Sequence, residues 1–294
     1  MSSIKNILPT TLPTIRVVKG VPGGEVSQLS SEFTIKRDIL CPMRDGVDLA
    51  VDIILPNGDG PFPVILERGP YDKNSSYNAG AEDFVRRGYV VVLQDVRGRF
   101  NSDGDFDPYR QEHQDGFDTI NWIEDQNWCD GNVGMIGGSY NAQTQWYAAG
   151  GAPKALKAII PVEAPPGNLF MNEPMYGGVM FLGMVEWASL LGRKSFQTKA
   201  FDDIYKEHRP YFDEFNVEKA MKATGTQCRW WSEEWLNHPT LDAFWESCGY
   251  EQLWSKMTVP ALNISGWWGL NFNGAPRNFV GMRERGATKE ARDG

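Results

Sequence analysis

Four short apolar runs constrain the fold of this chain more than any other feature: Val64-Ile65-Leu66, Tyr89-Val90-Val91-Val92-Leu93, Val133 to Ile136 and Leu156 to Pro161. They show little polar alternation, so each reads as a strand buried on both faces. Such strands belong to a parallel sheet with helices covering either side. The stretches between them supply those helices, at Ala79 to Arg87, Asp115 to Asp125 and Ala142 to Gly150. Ahead of them, Phe33 to Leu40 and Val47 to Leu55 are rich in β-branched residues and flank the turn Arg44-Asp45-Gly46, which predicts an antiparallel hairpin. Strand character returns at Val259 to Ile264, so a long segment interrupts one sheet.

That interrupting segment repeats apolar residues at helical spacing, as in Phe181, Met184, Val185, Ala188 and Leu191, and again in Phe212, Phe215, Lys219 and Met221, with breaks at Pro210 and Pro239. The expected organisation is an extended arm over 1–32, a first core part over 33–164, a helical cap over 165–257 and a second core part over 258–294. A chain of 294 residues, 41% hydrophobic and 12% aromatic, can bury one large core and a smaller subdomain. Its net charge of −9 is spread without long like-charge runs, so no nucleic-acid partner is expected. Met1 to Thr14 contains no continuous apolar stretch and no window approaches a bilayer span, so neither a secretory signal nor a membrane anchor is expected. Cys41, Cys129, Cys228 and Cys248 form neither a C-x-x-C pair nor a zinc spacing and read as reduced packing residues, which points to the cytoplasm.

The segment Val133 to Ala142 runs from strand through Gly137-Gly138-Ser139-Tyr140 into a helix, with Ser139 at the apex of the turn. A turn of this kind strains the serine backbone and lifts its hydroxyl above the sheet, where a base can activate it as a nucleophile. The alternative is a serine that merely caps the following helix. Asn141 stands where the last glycine of a G-x-S-x-G motif would be.

Five blocks then carry a specific resemblance: Arg68-Gly69-Pro70-Tyr71-Asp72-Lys73, Gln94-Asp95-Val96-Arg97-Gly98, Ser102-Asp103-Gly104-Asp105-Phe106, Trp128 to Gly134, and Gly138-Ser139-Tyr140. In order and spacing, from about Phe33 to Phe279, the chain resembles the bacterial cocaine-esterase and X-prolyl dipeptidyl peptidase family. The resemblance implies an α/β-hydrolase core with a mostly parallel sheet, a helical cap inserted after the sixth strand, and a C-terminal jelly-roll domain that is expected to be absent from this chain. It implies that Ser139 is the nucleophile, that Tyr71 donates its phenol to the oxyanion, and that the backbone N–H of Tyr140 is the second donor. Substrates of such a protein are small esters, amides or X-Pro peptides, with no cofactor and no metal.

Two departures from the family pattern stand out. Where the family carries its acid in a Gly-Trp-Tyr-Asp pattern, this chain has Gly266-Trp267-Trp268-Gly269. The family's Trp-x-His, which supplies the base, is expected beyond Gly294. Neither His113, expected just before a helix, nor His208 and His238 in the cap suit the role of base. Glu163, directly after Ile159-Ile160-Pro161-Val162, is the candidate acid within the chain. Asp72 with Lys73, and Asp95 with Arg97, read as ion pairs that hold loops. Asp103, Asp105 and Asp107 lack the downstream glutamate of a calcium loop, since Gln114 falls there. Of Trp146, Trp187, Trp230, Trp231, Trp235, Trp267 and Trp268, most belong to the core and a few to an apolar pocket. Glu233-Glu234 reads as an exposed helix face in preference to an ammonium receptor. Two functions fit: a serine hydrolase acting through an acyl-enzyme on Ser139, or a degenerate or truncated member that binds acyl compounds or a partner without turnover.

Overall fold

A computed structural model of the protein describes residues 32–74, 80–171, 174–181, 183–195, 206, 209–210, 219 and 234–294. β1 (Phe33–Pro42) and β2 (Asp48–Pro56) form the expected antiparallel hairpin. β3 (Phe62–Gly69), β4 (Val90–Asp95), β5 (Cys129–Gly138) and β6 (Leu156–Val162) complete a sheet ordered β1-β2-β4-β3-β5-β6. β4, β3, β5 and β6 pair in parallel, while β2 meets β4 antiparallel. The apolar runs explain this arrangement. Every residue of β4 is buried, a pattern that only a strand covered on both faces sustains.

α1 (Ala81–Arg86) packs over β2 and β4, and α2 (Glu112–Glu124) lies against α3 (Tyr140–Gly150). All of α3 is buried. Its polar residues are tied into the sheet instead of solvated: Thr144 donates to the Arg68 carbonyl at 3.1 Å, while Gln145 donates to the Gly137 carbonyl and accepts from the Ile160 N–H. Helix α2 begins earlier than expected, so His113 sits in its first turn and not before it.

Beyond β6, Pro260 to Ile264 runs parallel to it, through bridges at Ile159–Ala261 and Val162–Ile264. Ile159 N–H donates to Pro260 and Leu262 N–H to Ile159; further along, Ile264 N–H donates to Pro161 and Glu163 N–H to Ile264. The expected strand is reduced to bridges because Pro161 has no N–H to offer the carbonyl of Leu262. The segment expected to be a purely helical cap contains a hairpin of β7 (Met175–Tyr176) and β8 (Val179–Met180) before α4 (Gly183–Leu191). Gly177 and Gly178, both at positive φ, form its turn, and this glycine pair outweighs the helical spacing nearby. In α4 the expected stripe of Met184, Val185, Ala188 and Leu191 is buried.

The expected helical stretch from Phe212 to Met221 lies outside the described residues apart from Lys219, as do the arm over 1–31, Ala79, His208, Cys228, Trp230, Trp231 and Glu233. α5 (Ala243–Cys248), α6 (Gly274–Arg285) and α7 (Lys289–Asp293) follow, α5 capped by Asp242 and α7 by Thr288. Cys41, Cys129 and Cys248 are free thiols, and no described helix is long and apolar enough to cross a membrane. The sheet, its covering helices and the strand-turn-helix at Ser139 are those of an α/β-hydrolase.

Leu262 and Ile264 are 60% and 44% exposed on the outermost parallel segment among the described residues, beside a loop in which Trp267 and Trp268 are 88% and 100% exposed. Such an edge favours association. The 294-residue chain is expected to self-associate with rising concentration, and Ile264→Lys to reduce that association, as read by light scattering.

Candidate active site

Ser139 sits between β5 and α3 at φ 56° and ψ −124°, a backbone conformation costly for a residue with a Cβ. Its N–H donates to the Val162 carbonyl at 2.9 Å, which pins the turn to the end of β6. Its side chain is exposed and caps nothing. Tight packing around it explains the glycines. A Cβ at Gly137, itself at φ 146°, would lie 2.6 Å from the Asn141 Cβ. A Cβ at Gly69 would lie 1.8 Å from the Asn141 Oδ1. Thus Asn141 is tolerated in place of the motif's last glycine because Gly69, at the end of the neighbouring strand, leaves the space.

Asn141 Nδ2 also donates to Glu67 Oε1 at 2.8 Å beneath the turn. Burial pushes the Glu67 carboxyl from its ordinary 4.5 up to about 7, against the opposing effect of that hydrogen bond. Nothing in the sequence reading singled out Glu67. A carboxylate directly after the apolar run of β3, within a strand covered on both faces, was the available signal.

Tyr71 brings its hydroxyl within 3.4 Å of Ser139 Oγ, and Trp187 on α4 donates its Nε1–H to the same hydroxyl at 3.3 Å. The loop bearing Tyr71 is fixed by charge. Lys73, buried, lies 2.7 Å from Asp38, 3.5 Å from Asp52 and 3.6 Å from Asp95, while its N–H donates to Asp95 at 2.8 Å. Desolvation still raises the Asp95 carboxyl to about 6, with the Lys73 contacts opposing it. Arg99 Nε–H donates to the Pro70 carbonyl at 3.0 Å. The two loop ion pairs expected from the sequence are replaced by others: Lys73 pairs with Asp38, Asp52 and Asp95 while Asp72 accepts a hydrogen bond from Asn74 N–H, and Arg97 pairs with Asp45 and Asp115 and not with Asp95. Asp95 is turned instead onto the Tyr71 loop.

Tyr140 opens α3, so its N–H has no acceptor within the helix. Its side chain is an anchor. The hydroxyl donates to Glu112 and accepts from Tyr109 N–H, both at 2.9 Å, and the ring stacks on Tyr109 and Trp187. Glu112 is held in turn by Arg68 at 3.2 Å. Phe106, Tyr109, Trp187 and Trp235 extend this into an aromatic wall in which Tyr109 and Trp235 are buried and Phe106 and Trp187 half-buried.

Glu163, at φ 52°, follows β6 directly. Its Oε1 accepts from Ser265 Oγ–H at 2.9 Å and from Gly266 N–H at 2.7 Å, whereas the buried Oε2 has no partner among the described residues. A Cβ at Gly269 would stand 2.1 Å from Oε2. The two described histidines are elsewhere. His238 is bonded to Asp242 at 2.6 Å and stacked on Phe244, and neither it nor His113 hydrogen-bonds Ser139 or Glu163. Glu234 pairs with Arg110 at 3.2 Å. Of the tryptophans, Trp146 and Trp235 are core, and Trp267 and Trp268 face solvent. Among the described residues no cluster of potential ligands could hold a metal.

The sequence pattern of the X-Pro dipeptidyl-peptidase (S15) family fits residues 45–291. Cocaine esterase of Rhodococcus sp. (strain MB1 Bresler) is 35% identical over 277 residues, covering 87% of this chain and 48% of its own. Among solved structures, an α-amino acid ester hydrolase superposes with a TM-score of 0.73 at 25% identity, over 94% of this chain and 49% of that one. A CocE/NonD family hydrolase from Staphylococcus aureus does so with a TM-score of 0.65 at 26% identity, over 88% and 45%. The chain spans about half the length of these relatives.

Two consequences are measurable. Lys73→Met leaves buried Asp52 and Asp95 without their shared cation and is expected to cost about 3 kcal/mol in denaturant unfolding. Because the folded protein keeps the Glu67 proton to about pH 7 while the unfolded chain releases it near 4.5, this group's contribution is full in acid and lost as pH rises through that window. Glu67→Gln is therefore expected to stabilise the protein by on the order of 1 kcal/mol at pH 8, with no gain at pH 4.

Proposed function

The chain belongs to the X-Pro dipeptidyl-peptidase (S15) family, and from that premise we propose that it is a serine acyl hydrolase acting on small esters, amides or X-Pro peptides. The observation that carries this reading is the strained, exposed Ser139 with the Tyr71 hydroxyl 3.4 Å from its Oγ and the first N–H of α3 beside it. Ser139 Oγ attacks the substrate carbonyl carbon and its proton passes to a base. The oxyanion that forms is met by the Tyr71 hydroxyl and the Tyr140 N–H. A preorganised donor of this kind contributes about 3 kcal/mol to the transition state. Collapse expels the alcohol or amine and leaves an acyl group on Ser139, which water then removes.

Trp187 has a part in this geometry. Its indole N–H occupies an acceptor position of the Tyr71 hydroxyl, which favours the phenolic proton facing Ser139. The half-buried rings of Phe106 and Trp187, backed by the buried Tyr109, Tyr140 and Trp235, give an acyl or aryl group an apolar surface. The competing reading, a member that binds acyl compounds without turnover, draws on Gly269 and on the absence of a histidine bonded to Ser139 among the described residues.

A fluorophosphonate probe separates the two. Labelling that disappears in Ser139→Ala and falls by roughly a hundredfold in Tyr71→Phe is expected of the hydrolase. A folded protein that takes up no label belongs to the second reading.

A further inference from the structure

We propose that Glu163 is the positioning carboxylate for the base that serves Ser139, in the space that the missing side chain of Gly269 leaves open. This rests on the reading of Ser139 as a nucleophile and adds to it the orienting member of the charge relay. Glu163 is bound to the nucleophile through the sheet: Ser139 N–H donates to Val162, the residue just before Glu163, and Glu163 N–H donates onward to Ile264. The two residues thus stand side by side at the carboxyl ends of parallel β5 and β6, where an α/β sheet presents its chemistry.

Both residues also occupy positive φ, 56° and 52°. A glutamate gains nothing intrinsic from that conformation, which persists only where the surroundings fix it. Here they do. Ser265 Oγ–H and Gly266 N–H both bind Oε1 and so set the plane of the carboxylate. Oε2 is buried and has no donor among the described residues, an arrangement costly for a carboxylate oxygen unless a donor N–H arrives there. An imidazole N–H meets that need, and an imidazole so held keeps its other nitrogen ready for the Ser139 proton.

Gly269 is the other half of the inference. A Cβ at 269 would lie 2.1 Å from Oε2, 2.4 Å from Oε1 and 2.5 Å from the carboxyl carbon, so a side chain there would displace the Glu163 carboxylate from its present position. The resemblance in sequence puts an aspartate at this position, where this chain has none. The carboxylate is retained and its donor strand has changed, from the outermost parallel segment to β6.

The test uses the 294-residue chain with imidazole as a diffusible base. Phosphonylation of Ser139 by a fluorophosphonate forms the Oγ–P bond, expels fluoride and gives the serine proton to imidazole. Its rate is followed against imidazole concentration, with the Ser139→Ala background subtracted. Imidazole is expected to accelerate the wild-type reaction, and Glu163→Gln, whose amide oxygen keeps the Ser265 and Gly266 bonds, to reduce that acceleration by roughly tenfold or more. Gly269→Asp alone is expected to be slow through the clash, while Glu163→Ala with Gly269→Asp recovers most of the wild-type acceleration, a rescue that a purely structural role for Glu163 does not produce. Equal acceleration in Glu163→Gln and the wild type overturns the assignment of Glu163 while leaving Ser139 standing. A wild type labelled no faster than Ser139→Ala overturns the nucleophile and the positioning residue together.

Discussion

The close approach of α3 to the end of β3 is the constraint on which the rest of the structure depends. Gly69 has no side chain, and the Asn141 amide fills the space a Cβ there would need. Gly137 and Ser139 turn through positive φ where β5 joins the helix. The strained serine thus sits beside a packing requirement on the adjacent strand of the sheet. Thr144 and Gln145 then lock the helix by bonding into β3, β5 and β6, and so the buried polar residues of α3 fix its height and its rotation together.

The second organising element is electrostatic. Lys73 gathers three carboxylates from β1, β2 and β4 beneath the Tyr71 loop, and Arg99 holds the Pro70 carbonyl from the other side. Neither cation touches the serine. They define where the phenol of Tyr71 stands, at a cost in desolvation that is evident in the raised Asp95 carboxyl. A loop held in this way is fixed without being part of a strand, which is what the proposed role of Tyr71 as an oxyanion donor requires.

Much of this was legible in the residues. Apolar runs such as Val90 to Leu93 marked the parallel strands because burial on both faces removes polar alternation. The pattern around Ser139 marked the turn because glycine, serine and a following helix start have a single joint geometry there. What was not legible depended on contacts distant in sequence. The pairing of Gly69 with Asn141 made a broken motif sound, and no local pattern announces it. The exchange of Asp95 from Arg97 to Lys73 followed from which strand ends meet, and the Met175 to Met180 hairpin from a glycine pair within a helical pattern. Glu163 could be named as an acid from its place after β6. That its carboxylate stands in the volume of residue 269 needed coordinates.

Trp187 reaches the hydroxyl of Tyr71 from α4, a helix of the inserted segment, while its ring stacks on Tyr140 and belongs to the aromatic wall. Under the proposed function, one side chain therefore bears both on the oxyanion donor and on the apolar surface offered to the acyl group. In a protein wired like this, preference among substrates and speed of reaction are not separate properties to be tuned one at a time. Remodelling the insertion to admit a bulkier acyl group would also disturb the phenol, so kcat and KM should change together across natural or engineered variants of this helix.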